Sequence, residues 1–273
     1  MVEDPPAPPD VDPTTPSPAR MYDYVLGGVH NFPVDREAAE RIRAQAPDLE
    51  DAAWVNRGFH QRAARWMAEL QGIRQFIDIG SGLPTPANTH GVVQLLAPET
   101  RVAYVDNDPM IRAYGSELLA DDGTTIVITA DLRMPDAVLE ELRALIDFDQ
   151  PVGLLMTAVL HFIADEGDPW GLVARYVDAL APGSYLALSH ATYDRLPPRL
   201  VQASSEVYGQ TRADWHPRSR SEVERFFAGL QIVPPYEGAE AAITHLGLWG
   251  AEDPVLADSD GSHWWYGGVG RRT

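Results

Sequence analysis

The chain has 273 residues, 40 acidic against 21 basic, for a formal net charge of −19. All 21 basic residues are Arg, and neither Lys nor Cys occurs, which excludes disulfides, thiolate nucleophiles, Cys-ligated zinc, a Walker-type lysine and Schiff-base chemistry. The acidity, with no basic patch, argues against a nucleic-acid partner, and no apolar run approaches the ~18 residues of a membrane span. The hydrophobic fraction of 45% is that of an ordinary globular protein, and without a basic-then-apolar leader a cytoplasmic location is expected.

Residues 1–19 hold seven prolines and four acids, with few large apolar side chains, and read as a disordered or extended tail. Folded sequence is expected from Arg20. DREAAERIRAQ (35–45) and the stretch 51–69 read as helices, the second with Trp54, Phe59 and Trp66 spaced for a buried face. They form a helical N-terminal region, 20–71. From Gly72 the period changes, and strands (73–80, 101–108, 124–131, 151–160, 184–191) alternate with helices (to about Leu96, 109–120, 134–146, 169–180). Apolar strands alternating with helices predict a parallel sheet covered on both faces, here over 72–273. The segment 194–220 interrupts the alternation as a helical insertion (199–212). Ser221 and Glu224 have capping-box spacing ahead of a further helix. Two last strands, around 230–233 or 242–249 and around 263–269, suggest an edge hairpin.

In open α/β sheets ligands bind beyond the carboxyl ends of the strands. The first strand ends in Asp78-Ile79-Gly80-Ser81-Gly82, where the glycines permit a tight turn and close backbone approach. The second ends in Asp106, placed to accept bonds from both hydroxyls of a ribose, and the third in Asp131, placed for an adenine amino group. Asn107 and Leu132 would flank the adenine. Asp108 serves equally as a cap for the helix at Pro109, and Asp131 as a cap for its own helix approach. Together these residues describe a nucleoside-containing cofactor. A dinucleotide fingerprint would need a third glycine where Thr85 stands between Pro84 and Pro86, and Asp78 would repel a pyrophosphate. A carboxylate at 78 suits a cationic ligand, the ammonium of a methionine moiety beside a sulfonium, so S-adenosyl-L-methionine is favoured over NAD.

The segments RMYDYVLGGVHNFPVDREAAERI (20–42), NRGFHQRAARW (56–66), GIRQFIDIGSGLPT (72–85) and RVAYVDNDP (101–109) carry a resemblance. RSEVERFFAGL (220–230) and WYGGVGRR (265–272) add to it less specifically. The chain closely resembles the S-adenosylmethionine-dependent methyltransferase family of actinomycetes first catalogued as a domain of unknown function. The resemblance implies a class I methyltransferase fold: a Rossmann-like sheet of seven mostly parallel strands, the last antiparallel, flanked by helices and preceded by an N-terminal helical cap. It implies no particular acceptor. It also favours reading Tyr24, Gly28 and Asn31 as part of a lid over the cofactor, the alternative being a loop that docks a helix.

His161 lies just beyond the fourth strand, where such enzymes present groups to the methyl acceptor, and is the candidate catalytic base; His190 stands in the analogous place after the fifth. A pocket-lining role without proton transfer is equally open, because methyl transfer from a sulfonium needs chiefly positioning. The eight His residues are widely spaced, so no metal site is expected, and Trp249, Trp264, Trp265 and Tyr266 read as packing. The leading expectation is a methyltransferase acting on a small molecule, and the alternative a cofactor-binding protein without methyl transfer. The oligomeric state is open.

Overall fold

Proline opens six of the nine α-helices found among the described residues, a position where its missing N–H costs no hydrogen bond. The computed structural model describes residues 7–8, 11–83, 87–115, 123–211 and 213–273. The expectations for Pro84, Thr85 and Pro86, for residues 116–120 of the expected helix 109–120 and for much of the tail lie outside them. The helices are α1 (Pro18–Val25), α2 (Pro33–Arg43), α3 (Leu49–Leu70), α4 (Thr89–Val93), α5 (Pro109–Gly115), α6 (Pro135–Leu142), α7 (Pro169–Asp178), α8 (Pro198–Tyr208) and α9 (Arg220–Glu224). The strands are β1 (Gln75–Ile79), β2 (Arg101–Asp106), β3 (Thr125–Thr129), β4 (Gly153–Thr157), β5 (Tyr185–Ala191), β6 (Gln231–Ile232), β7 (Thr244–His245) and β8 (Trp265–Arg271).

The sheet runs β3-β2-β1-β4-β5-β8-β6, with β7 also pairing β8. Strands β1 to β5 are parallel, whereas β5, β6 and β7 all pair antiparallel with β8. This is the class I methyltransferase arrangement, in which one late strand runs against the rest. The last strands pair antiparallel at the sheet edge as expected, with β8 lying between β5 and the outermost β6. A side chain at Gly267 would lie 2.2 Å from the Leu188 carbonyl, so small residues let β8 press against β5.

Alternation along each strand divides the core into two layers. Phe76, Val102, Tyr104, Leu155 and Ala187 face α3, while Ile77, Ile79, Ala103, Val105, Leu154 and Met156 face the side that carries α6 and α7. Asp78 and Asp106 continue the α3-facing rows. The buried stripe of α3 runs through Ala52, Asn56, Phe59, His60, Ala63, Ala64 and Met67. Trp54 falls off that stripe and is 51% exposed, contrary to the buried face expected for it. Alanines and polar residues share that stripe with Phe59 and Met67, and Trp66 packs edge-on against Tyr185 of β5.

Two further expectations change. The capping box before α9 is formed by Ser219 and Glu222: Glu222 Oε2 accepts from Ser219 N (2.8 Å) and Oγ (2.6 Å). The same Ser-x-x-Glu spacing occurs twice in a six-residue run, and the earlier pair is the one used. Nor is the whole of 11–19 a loose tail. Val11 packs with Phe32, Leu83, Met110 and Ile111, and Ser17 donates from N to Asp35 Oδ1 (2.9 Å) and from Oγ to Asp108 Oδ2 (2.7 Å). A segment poor in apolar groups is held here by prolines that pre-order it and by buried carboxylates. No helix among the described residues is long and apolar enough to cross a membrane.

Candidate functional site

At the carboxyl end of β1 the chain turns through Gly80 (φ +71°) and Gly82 (φ +64°), a left-handed conformation that favours glycine. At Gly80 space is equally decisive, since a Cβ would stand 2.4 Å from Val159 Cγ2. At Gly82 a Cβ would meet nothing within 4 Å among the described residues. Gly80 N donates to Val105 O (2.8 Å), which binds the turn to the end of β2. Asp106 locks the two loops together: Oδ2 accepts from Gly82 N (2.9 Å) and Oδ1 from Asp108 N (2.9 Å). Burial raises the Asp106 carboxyl pKa, opposed by these backbone N–H groups and that of Asn107. Asn107 itself is exposed.

Asp78 is buried beneath α3 and α4, and only one of its oxygens has a side-chain partner among the described residues. Thr89 Oγ1 donates to Oδ2 at 2.7 Å. Burial pushes the carboxyl up to about 6 from its usual 3.8; the Thr89 hydrogen bond and the charge of Arg57 oppose this, and the neighbouring Asp106 adds to it. Arg57 does not neutralise the site by contact with Asp78. Its NH2 donates to Ala87 O and Asn88 Oδ1 (both 2.9 Å), and its Nε is buried without a partner among the described residues. Ser81 Oγ is likewise buried and unpartnered. A cationic group beside Asp78 would relieve a carboxylate that the fold holds at a cost.

Asp131 reaches the same sheet end, but its carboxylate is taken by Arg133 of its own loop. Arg133 Nε lies 3.0 Å from both oxygens and NH2 2.6 Å from Oδ2, lowering the carboxyl pKa. Arg133 N also donates to Oδ1 (2.9 Å), a local turn rather than a helix cap, since α6 is preceded by Met134 and has no side-chain cap. The pair is solvent-exposed and cheap to rearrange. The Leu132 carbonyl accepts from Tyr176 of α7 (2.8 Å).

The Tyr-Asp-Tyr and Gly-Gly run is organised from within. Asp23 Oδ2 accepts from His30 N (2.9 Å) and Asn31 Nδ2 (2.8 Å), and Asn31 Nδ2 also donates to Gly28 O (3.0 Å). A Cβ at Gly28 would overlap the Asp23 carboxylate at 2.0 Å, which explains a glycine there. Tyr24 sends its hydroxyl to Glu40 on α2 (2.8 Å). The polar atoms of Asn31 and Tyr24 thus build the loop and its contact with α2. His30 lies tilted against Tyr114 of α5, ring centroids 4.2 Å apart, and Phe32 packs on Leu83 and Met110.

His161 and His190 lie together, ring centroids 5.6 Å apart, at the ends of β4 and β5. His190 is fully committed: Nδ1 lies 2.8 Å from Ala191 O and Nε2 takes Arg218 NH1 at 2.8 Å, and burial lowers its pKa to about 3. His161 Nδ1 faces Ala191 N (3.4 Å), and burial beside His190 and Arg218 pushes its pKa well below 6.5. Arg218, 2% exposed, staples the insertion to the body through Leu160 O (3.2 Å), Ile163 O (2.7 Å) and Asp165 Oδ1 (2.7 Å).

Sequence reasoning missed Arg57, His60, Thr89, Asn88 and Arg218, none of which lies in a strand-end motif. One available signal was three polar residues, Asn56, Arg57 and His60, on the apolar side of α3. The open clefts elsewhere on the described surface, between Arg101 and 143–149 and between Trp66 and Tyr236, do not include these strand ends. Among the described residues no group of three His, Cys, Asp or Glu is arranged to hold a metal ion.

No curated protein matches the chain. Among the solved structures that do are a DUF574-family protein from Streptomyces avermitilis (37% identity, 95% of this chain and 98% of that one, TM-score 0.87) and a candidate methyltransferase from Thermobifida fusca (37%, 97% and 98%, TM-score 0.88). The family model for S-adenosyl methyltransferases matches residues 4–273. With the buried Asp78 ahead of the glycine turn and Asp106 at the next strand end, the chain belongs to the S-adenosyl methyltransferase family and uses S-adenosylmethionine as its cofactor.

Proposed function

We propose that this methyltransferase acts on a small molecule, with Asp78, the turn Gly80-Ser81-Gly82, Asp106 with Asn107, and Asp131 with Leu132 holding the cofactor. The observation that carries the reading is the buried Asp78 carboxylate, raised to about 6 and in contact with no cation among the described residues. Bound there, S-adenosylmethionine supplies an activated methyl group whose transfer leaves a neutral thioether. Asp78 would hold the ammonium, Asp106 the ribose and the Asp131 loop the adenine edge. The N-terminal region 20–71, including Tyr24, Gly28 and Asn31, would exclude water as a cap over the body 72–273.

The acceptor pocket in this reading lies between the cap and the insertion 194–220. The two meet through Arg41 NH2 and Gln210 Oε1 (2.9 Å), and the insertion is bound to the β4 end by His216 N donating to His161 O (2.7 Å). Such a pocket would close over a small acceptor. His161 remains the candidate catalytic residue with a narrowed chemistry. With Nδ1 turned to a backbone N–H, the proton sits on Nε2, which can donate a hydrogen bond to the acceptor but is not set to take a proton. We assign the activity to the cytoplasm, where the cofactor is held.

Transfer of label from methyl-labelled S-adenosylmethionine across a panel of hydroxylated and amine-bearing metabolites tests the proposal. A labelled small product is expected. Cofactor binding with no turnover on any acceptor, or labelling confined to macromolecules, would overturn it.

A further inference from the structure

Asp78 is served by a chain of hydrogen bonds that begins on the neighbouring strand, β4. His60, on α3 and 3% exposed, has Nε2 2.7 Å from Thr89 Oγ1 and Nδ1 3.0 Å from Thr157 Oγ1 at the end of β4. Thr89 in turn lies 2.7 Å from Asp78 Oδ2, and His60 Nε2 is itself 3.6 Å from that oxygen.

The direction of the chain follows from valence. An ionised carboxylate only accepts, so the single Thr89 hydroxyl proton points to Asp78. Thr89 Oγ1 must then accept from His60, which puts the imidazole proton on Nε2. Nδ1 is left as an acceptor, and Thr157 donates to it. The imidazole stays uncharged, because burial and the nearby Arg57 charge lower its pKa to about 3. If Asp78 instead carried a proton, every bond could reverse: the acid donates to Thr89, Thr89 to Nε2, and Nδ1–H to Thr157. The other charged or titratable groups facing Asp78 are Arg57 from α3 and Tyr104 and Asp106 from β2; its β4 register partner is Leu155.

We propose that His60 is a positioning residue for cofactor capture, a neutral relay that fixes Thr89 as donor to Asp78 Oδ2, leaves Oδ1 for the ligand's ammonium and couples that charge to Thr157 at the acceptor side. The inference rests on the cofactor reading above. Thr157 precedes Ala158, a non-glycine residue at φ +53° whose N–H is held by Ser189 Oγ at 2.9 Å. Ala158 is followed by Val159, whose side chain covers Gly80. The relay thus joins the carboxylate to the loop that shapes the glycine turn.

Nitrogen-15 NMR of the imidazole in the unmodified, ligand-free protein is the direct test, with S-adenosylhomocysteine as the probe in a second sample. The Nε2–H tautomer is expected at pH 8. Its Nδ1–H counterpart should grow as the pH falls through about 6, with no imidazolium signal, and the probe should suppress that growth. In titration calorimetry His60→Phe and Thr89→Val should each weaken the probe on the order of tenfold, while Thr89→Ser retains wild-type affinity. An Nδ1–H tautomer at pH 8, or His60→Phe binding the probe as tightly as wild type, would overturn the relay while leaving the cofactor reading intact. Wild type failing to bind the probe would overturn both.

Discussion

Replacing Asp78 by Asn should stabilise the ligand-free protein and cripple cofactor binding together. Asn keeps the size of the side chain and an oxygen to accept from Thr89, but removes the charge. In the fold the carboxyl titrates at about 6 against an ordinary 3.8, so folding disfavours its ionised form. The contribution to stability is therefore fully present below about 3.8 and is lost as the pH rises through about 6. A rise of about two pK at ~1.4 kcal/mol each makes the ionised carboxylate cost about 3 kcal/mol at pH 7.5. The amide must find a partner for its own N–H, which makes this an upper bound. At roughly 2–4 °C per kcal/mol, Asp78→Asn should melt about 5 °C higher than wild type at pH 7.5, the gain shrinking below pH 6. Removing one member of a buried ammonium–carboxylate pair costs about 3–5 kcal/mol, so affinity for S-adenosylhomocysteine should fall by two to three orders of magnitude. Wild-type affinity should itself weaken as the pH falls through about 6. Calorimetric melting and titration on the same samples decide it. A variant that melts lower than wild type at pH 7.5 and binds the ligand normally would refute the reasoning.

Gly80→Ala should cost about 1–3 kcal/mol from its left-handed backbone alone, with a further loss from the Val159 contact, read as a lower melting temperature and weakened cofactor binding. Unchanged melting would contradict the assigned turn. Arg218→Met leaves Leu160 O, Ile163 O and His190 Nε2 without their donor and should destabilise by about 3 kcal/mol or more; a drop of under 2 °C in melting temperature would show that the staple is dispensable. His161→Gln, which keeps a side-chain donor, should retain more than about a tenth of kcat, whereas loss of a general base removes a factor of 10²–10⁴. The wild-type kcat profile should show no His161 inflection near pH 6.5, because burial holds that imidazole neutral.

The parts of the fold legible in the sequence were those set by local spacing. Alternating apolar strands gave the sheet, and the glycine turn and the acids at 78 and 106 fall at strand ends because a parallel strand must stop where its ligand-facing loop begins. What was hidden depends on approach across the fold. His60 meets Thr157 from 97 positions away, and Arg218 meets Asp165 from 53, so no local pattern announces either. Trp54 misled because bulk suggests burial, whereas α3 must lie close to the sheet and uses alanines to do so. In the segment 11–19 prolines read as breakers, yet Pro18 starts α1, and the serine before it ties the segment to Asp35 and Asp108. Asp131 was read as a ligand for adenine without its neighbour Arg133, two residues on, being considered as a competitor.

A crystal structure with S-adenosylhomocysteine bound tests the central claim most directly. The account predicts the ammonium against Asp78, the ribose hydroxyls on Asp106 and the adenine beside the Asp131–Leu132 loop, with Asp131 released from Arg133 or bridging both. A nucleoside seated elsewhere, or one lying at these strand ends with its ammonium away from Asp78, would contradict it.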